Sequence, residues 1–127
     1  MTYETLAVVF ERPHEVAVRK FSLPDLGPRD ILIRTTYSGI SIGTERWVLT
    51  NQYKGTKDMF PHIPGYQRTG TVEETGPEVT RFMVSDRVFL SSRACKFVEG
   101  QNLHPRSWNG HVGLSVTDEK LATPLPR

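Results

Sequence analysis

The chain has 127 residues, 37% of them hydrophobic and 24% charged, so it is long enough to bury the core of one domain. Its 16 basic and 14 acidic residues are interleaved and leave a formal charge of +2, which gives no electrostatic argument for a nucleic-acid or membrane partner. The single cysteine, Cys95, excludes an internal disulfide and a zinc site of clustered cysteines, and it fits a reducing, cytoplasmic compartment.

The first half of the sequence predicts three strands and a helix. TLAVVFERP and EVAVRKFSLP are apolar or alternating runs that each close on a proline, which predicts a hairpin. Residues 30–37 are β-branched and apolar, the pattern of a buried strand, and this strand is expected to end at Ser38-Gly39. IGTERWVLTNQY predicts a helix of two or three turns, with Thr44 as the N-cap and Glu45 in the first turn.

The second half predicts more strands and one long loop. TGTVEETGPEVTRFMVSDRVFL alternates on both sides of Gly76-Pro77 and indicates two strands, whereas residues 91–107 have little periodicity and indicate a loop. HVGLSVTDEKLATPLP ends the chain with a further strand. Six or seven short strands with at most one substantial helix favour a partly open β-barrel over a sandwich.

One short stretch, IPGYQRTG, combines a fixed backbone with polar side chains. Pro64-Gly65 predicts a type II turn, because proline presets φ at the first central position and glycine accepts the positive φ of the second. Tyr66 and Gln67 follow this turn directly. Two large side chains with hydrogen-bonding ends therefore stand where the backbone is fixed.

Three motifs of the chain, in this order and spacing, resemble one known family. LGPRDILIRTTYSGIS.GTE, PHIPGYQRTGTVEETGPEVTRFMVSDRVF and WNGHVGLSVT are similar to the N-terminal GroES-like domain of the medium-chain alcohol dehydrogenase and quinone reductase superfamily. The phrase YSGIS.GTE is shared with zinc-free members such as the bacteriochlorophyllide dehydrogenase-like group. The resemblance implies one mainly β domain over residues 1–127, a GroES-like partly open β-barrel with one or two short helices.

The resemblance also implies an enzymatic function that requires a second domain in addition to this one. Members are two-domain NAD(P)-dependent oxidoreductases in which this domain forms the substrate side of the cleft, and a Rossmann domain, through which they usually dimerise, binds the dinucleotide. No G-x-G-x-x-G occurs in the chain. We therefore expect that NAD or NADP binds through a Rossmann domain in cis that is missing here, and that the isolated chain binds no cofactor and is inactive.

Two other interpretations of the same resemblance belong to a different class of function. The chain is then a stand-alone GroES-like module that binds a small molecule or a protein partner, or an interaction domain retained after truncation, and in neither case does it catalyse a reaction.

The resemblance identifies the positions at which zinc-dependent relatives hold their metal. Ser41, Tyr66 and Gln67 match the cysteine, histidine and glutamate ligands, and an alignment on GTE puts Ile42 in the cysteine position instead. Hydroxyl and amide groups are poor zinc ligands, and tyrosine keeps its proton up to about pH 10. We therefore expect no zinc in this protein.

The same positions supply the candidate site. A carbonyl or conjugated alkene that accepts hydride benefits from a donor where negative charge develops, and Tyr66 is the expected donor. The plainer alternatives are that Tyr66 and Gln67 are ordinary strand residues, that Trp47 packs in the core and that His111 is structural. The candidates are Tyr66, Ser41 and Thr44 for catalysis, and Gln67, Trp47 and His111 for substrate binding.

Three further expectations concern the structure around the site. His14, His62 and His104 have no partner at metal-ligand spacing and are expected in solvent-exposed loops. Cys95 is expected to be a small buried apolar residue rather than a nucleophile. Ser85 replaces the glycine of the family phrase G-D-R-V, and it is strained if that position needs a left-handed backbone.

Overall fold

The structure is a computed structural model that describes residues 3–126. Met1, Thr2 and Arg127, the ends of the predicted domain 1–127, lie outside the described residues. In chain order the elements are β1 Tyr3–Arg12, β2 Glu15–Leu23, β3 Asp30–Ser38, α1 Ile42–Leu49, β4 Gln67–Thr75, β5 Arg87–Ser91, β6 Leu114–Asp118 and β7 Ala122–Pro124, with 3-10 turns at Lys54–Thr56 and Glu119–Leu121.

The strands form two antiparallel sheets, neither of which closes on itself. Strands β1 and β2 make the predicted hairpin, and the other five follow the order β6-β3-β4-β5-β7. The predicted mainly β, partly open fold with one helix is confirmed. In the part of the chain that the structure describes, no helix is long and apolar enough to cross a membrane.

The first half of β3, residues 30–33, is buried on both faces and separates two clusters of core side chains. Leu32 packs in one cluster with Phe21 of the hairpin, while Ile31 and Ile33 pack in the other. Successive strand residues point to opposite faces of a sheet, so a run of β-branched and apolar residues fills both cores. Cys95 belongs to the first cluster, and burial raises the pKa of its thiol to about 12, which makes it a poor nucleophile.

The chain leaves the sheet at Ser38 and enters α1 at Ile42. The pairing of β3 with β4 shifts register between Thr35 and Tyr37, and such a bulge re-aims the residues that follow it. The prediction that Thr44 caps α1 is wrong, because the N-cap residue is Ser41, whose backbone is extended. Glu45 supplies the acceptor instead: the Ser41 backbone N–H donates to Glu45 Oε2 over 2.6 Å.

Candidate functional site

The turn before β4 is docked against the loop that precedes β6. The backbone N–H groups of Gly110 and His111 both donate to the Pro64 carbonyl, over 3.1 and 2.9 Å. Gly65 has φ of +97°, the left-handed backbone that the Pro64-Gly65 sequence predicts. A Cβ at Gly110 would lie 2.2 Å from the backbone C and O of Gly65, so glycine is required for this close approach.

Tyr66, directly after this turn, lies in an open cleft of about 360 Å³. The cleft is lined by Thr44, Tyr53, Tyr66, Ser91, Ser92 and Trp108. Trp108 organises its aromatic wall, since its ring makes edge contacts with Tyr66 at 5.5 Å and with Tyr53 at 5.7 Å between centroids. The structure therefore brings Tyr66 and Thr44 together with aromatic rings and hydroxyl groups.

The other predicted site residues lie outside this cleft. Ser41 is the N-cap of α1, and its backbone N–H is taken by Glu45. Gln67 is exposed at the start of β4, where its carbonyl accepts from the Gly39 N–H over 2.8 Å. Trp47 stands on α1 with 57% of its surface exposed, so it is not packed in the core.

His111 lies at the centre of a second polar group and does not line the Tyr66 cleft. Its Nε2 is 2.5 Å from Glu45 Oε1, and its Nδ1 is 2.9 Å from Ser38 Oγ. The side chains of His111 and Glu45 are only 8% and 7% exposed. One imidazole therefore joins the end of β3 to the first turn of α1.

His62 does not lie in a solvent-exposed loop, and that prediction is wrong. Its side chain is fully buried, and its ring meets the Trp108 ring edge-on at 5.3 Å between centroids. The backbone fixes this position, because the N–H and C=O of His62 both pair with Phe10 of β1. Burial, with smaller effects of the charges of His104 and Arg93, lowers the pKa of His62 to about 4.

The matched metal positions do not offer a ligand set for zinc. Among residues 3–126, no three or more His, Cys, Asp or Glu side chains are placed to hold a metal ion. Ser41 and Gln67 have hydroxyl and amide donors, Tyr66 has a phenol and Ile42 has no donor, whereas zinc prefers thiolate, imidazole and carboxylate. The side chains at these positions therefore do not fit the zinc ion that zinc-dependent relatives hold there.

Sequence reasoning did not assign Ser38, Tyr53, Ser91 or Ser92 to a site. Ser38 is part of the motif YSGIS, which is the one signal that pointed to it. Its partner His111 is 73 residues further along the chain, so no local period reveals the contact. Ser91 is the last residue of β5 and Ser92 follows it, at the edge where the predicted loop begins.

The mainly β, partly open fold is that of a GroES-like domain. The sequence of residues 27–124 matches the alcohol dehydrogenase GroES-like domain family. The match covers well over half of the chain, so the chain belongs to this family.

Individual relatives agree with this assignment. The chain is 37% identical over 92 residues to 2-desacetyl-2-hydroxyethyl bacteriochlorophyllide A dehydrogenase of Cereibacter sphaeroides. This alignment covers 72% of the chain and 29% of that protein. The chain is 30% identical to cinnamyl alcohol dehydrogenase 1 of Capsicum annuum, covering 84% of the chain and 35% of that protein. The chain thus spans about a third of the length of these curated relatives.

A solved structure shows the same fold. The CAD protein of Helicobacter pylori, solved in complex with NADP(H), superimposes with a TM-score of 0.77 over 98% of the chain and 42% of that protein. The two sequences are 21% identical, so the likeness concerns the fold.

Proposed function

We propose that the chain is the substrate-side domain of a zinc-independent, NAD(P)-dependent oxidoreductase that transfers hydride to or from a carbonyl, an alcohol or an activated alkene. The observation that carries the proposal is the cleft beside the docked turn, in a domain of the alcohol dehydrogenase family. Tyr66 and Thr44 line it together. By the family motif, Tyr66 also matches the sequence position of a histidine ligand in zinc-dependent relatives.

In this proposal hydrogen bonds from Tyr66 and Thr44 polarise the substrate oxygen, the task that a metal performs as a Lewis acid in the zinc-dependent relatives. A phenol or hydroxyl donor beside a developing oxyanion stabilises the negative charge as hydride arrives. The edge-on rings of Trp108 and Tyr53 give the cleft an apolar wall for the rest of the substrate. Ser41, Gln67, Trp47 and His111 remain candidate site residues, in second place because they lie outside this cleft.

The hydride donor belongs to a part of the enzyme other than this chain. The proposal places NAD or NADP on a Rossmann domain in cis, so that residues 1–127 are one of two domains. The NADP(H) complex of the Helicobacter pylori relative is consistent with such a cofactor. A homodimer formed through that second domain and a cytoplasmic location belong to the same proposal. Inactivity of the isolated chain does as well, because the proposal assigns the orientation of the hydride donor to the second domain.

The test uses the complete protein and a panel of quinones, enones and aldehydes, with NADH and NADPH oxidation as the readout. We expect turnover with at least one member, and Tyr66→Phe should lower kcat by roughly 10- to 100-fold with a smaller change in KM. Tyr37→Phe is the matched control, because Tyr37 is 75% exposed and lies outside the cleft. Binding of panel members without any turnover would favour the stand-alone binding module instead.

Metal content tests the zinc-independence part of the proposal separately. Purified chain should contain far less than one zinc per molecule by elemental analysis after exposure to equimolar zinc. The triple variant Ile42→Cys, Tyr66→His, Gln67→Glu, and the same variant with Ser41→Cys instead of Ile42→Cys, restore the ligand types of the two alignments. Stoichiometric zinc in the unmodified chain would contradict zinc independence and would leave the oxidoreductase assignment standing.

A further inference from the structure

Ser38, His111 and Glu45 form one continuous chain of side-chain hydrogen bonds. Ser38 Oγ is 2.9 Å from His111 Nδ1, and His111 Nε2 is 2.5 Å from Glu45 Oε1. The second oxygen of Glu45 is held by the Ser41 N–H over 2.6 Å, at the start of α1. Each member is thus fixed by a separate element: the end of β3, the loop before β6 and the first turn of α1.

The carboxylate decides the direction of these hydrogen bonds. An ionised Glu45 only accepts, so in its neutral form His111 carries its one ring proton on Nε2 and donates it to Oε1. Nδ1 then has a free lone pair, and the Ser38 hydroxyl donates to it. A hydroxyl that donates to a neutral imidazole, with that imidazole held by a carboxylate, is the arrangement that activates a serine nucleophile. The two ring nitrogens are used in the opposite sense from the usual serine hydrolase, but the proton path is the same.

The packing of the imidazole restricts it to this orientation. A Cβ built on Gly65 would lie 2.8 Å from His111 Cε1 and Nδ1, so the ring is stacked directly against the glycine of the docked turn. The 8% exposure of the His111 side chain leaves it little room to rotate. A base held by packing and by a second hydrogen bond is pre-organised for proton transfer.

Ser38 and His111 open onto a groove that is mostly apolar. The groove has a volume of about 380 Å³, and its apolar lining comes from Val8, Phe10, Ile40, Ile42, Leu49 and Pro64. Ile40 and Ile42 are 73% and 79% exposed, so the groove is accessible from solvent. Among the residues that the structure describes, the groove shares no lining side chain with the Tyr66 cleft.

We propose that Ser38 is a nucleophile activated by His111 and Glu45, and that it accepts the acyl group of small carboxylic esters with an apolar acyl chain. Ser38 Oγ attacks the ester carbonyl while its proton passes to His111 Nδ1. The alkoxide then leaves with that proton, and an acyl-Ser38 ester remains. Water hydrolyses this ester with His111 as the base, which releases the acid and restores the serine.

Two probes test the proposal without any nicotinamide cofactor. A fluorophosphonate should label the folded chain once, with the adduct mapped to Ser38 by peptide mass spectrometry. Hydrolysis of p-nitrophenyl butyrate should exceed that of the heat-unfolded chain and should be abolished by the fluorophosphonate. Absence of an adduct on Ser38 in folded protein would overturn the proposal.

Variants separate the roles of the three residues. Ser38→Ala should abolish labelling at this position, and His111→Gln should slow ester hydrolysis by at least about 100-fold, the usual contribution of a general base. Glu45→Gln keeps the size of the positioning residue but removes the charge that stabilises the imidazolium, so it should lower kcat while KM stays within about twofold. Circular dichroism and the unfolding midpoint confirm that each variant is folded.

The matched control is Ser22→Ala, a half-buried serine on β2. It should label and hydrolyse like the unmodified chain. If Ser38→Ala and the unmodified chain hydrolyse the ester at equal rates, Ser38 is not a nucleophile and the hydrogen-bonded chain only joins β3 to α1. Neither result bears on hydride transfer, since the assay contains no NADH or NADPH.

Discussion

Nε2 of His111 lies 2.5 Å from Oε1 of Glu45, and this contact connects two segments that are 66 residues apart in the sequence. Glu45 also accepts from the Ser41 N–H, so its carboxylate serves both as the partner of a buried imidazole and as the acceptor at the start of α1. Removal of this one side chain leaves two donors without their acceptor.

Glu45→Ala should therefore destabilise the chain by about 3 kcal/mol, because a buried donor without a partner costs about 1 to 3 kcal/mol. Glu45→Gln retains an oxygen that can accept one of these bonds and should cost less, about 1 kcal/mol. Urea denaturation monitored by tryptophan fluorescence measures both changes in the free energy of unfolding.

Glu99→Ala is the control for this pair, because Glu99 is exposed in the loop before β6. It should change the free energy of unfolding by no more than about 0.5 kcal/mol. If Glu45→Ala and Glu99→Ala had the same small effect, the Glu45 carboxylate would not contribute to the stability of the fold.

The contact between Gly110 and Gly65 gives a second prediction. A Cβ at Gly110 would stand 2.2 Å from backbone atoms of Gly65, which cannot move away as a flexible side chain can. Gly110→Ala should destabilise the chain by about 3 kcal/mol and displace the docked turn. Thermal unfolding followed by circular dichroism measures the loss.

Gly43 provides the matched glycine control. A Cβ there meets nothing within 4 Å, and the residue lies in α1, where alanine is the better helix former. Gly43→Ala should stabilise the chain by about 0.5 kcal/mol. Equal destabilisation by the two substitutions would show that the close backbone approach at Gly110 is not what excludes a side chain.

The features that were predictable from the sequence are those governed by local rules. The strand over residues 30–37, the hairpin and the positive φ at Gly65 follow from side-chain period and turn chemistry, which act over a few residues. Burial of that strand is confirmed only for residues 30–33. The stretch IPGYQRTG also shows that Tyr66 comes directly after this turn. The family motifs then supplied the fold that connects these elements.

The features that were missed depend on contacts between distant segments. Thr44 fits a helix cap by its type and position, but the acceptor at the start of α1 is the Glu45 carboxylate, which His111 also contacts. His62 is polar and sits between prolines, a pattern typical of exposed loops, yet its backbone pairs with Phe10 and carries the ring into the interior. His111, the partner of Glu45, and Phe10, the partner of His62, are both too distant in the sequence for a local pattern to reveal the contact.

Ser85 gives a prediction in the opposite direction, a gain of stability. The family has glycine at this position, and Ser85 adopts φ of +81°, a left-handed backbone that a residue with a Cβ disfavours. Its N–H donates to the Val72 carbonyl over 2.8 Å, so the conformation is held by the fold. Ser85→Gly should stabilise the chain by about 1 kcal/mol, with a rise in Tm of about 4 °C.

The comparison for Ser85 is Ser22→Gly in β2. The backbone of Ser22 is part of a regular strand, so glycine there brings only its greater freedom in the unfolded chain. That variant should be less stable by about 0.5 to 1 kcal/mol. A loss of stability in Ser85→Gly as well would mean that the serine side chain makes a contribution larger than the backbone strain.

His62 predicts how stability depends on pH. In the unfolded chain its pKa is near the ordinary value of 6.5, and burial lowers the pKa in the folded state to about 4. Between these two values the unfolded state binds more protons than the folded state, so the contribution of His62 falls as the pH is lowered from about 6.5 to 4. The full loss is about 3 kcal/mol, and below pH 4 this residue causes little further change.

His62→Leu removes the titrating group and fills a similar volume, so its stability should fall less than that of the unmodified chain between pH 6.5 and 4. Urea denaturation at half-unit pH intervals measures the free energy of unfolding of both proteins. The difference between the two values at each pH removes the effect of the carboxylates, which both proteins share. His14→Gln, in the exposed hairpin turn, is the control and should follow the unmodified chain. Parallel pH curves for His62→Leu and the unmodified chain would mean that folding does not lower the pKa of His62, and the prediction would be wrong.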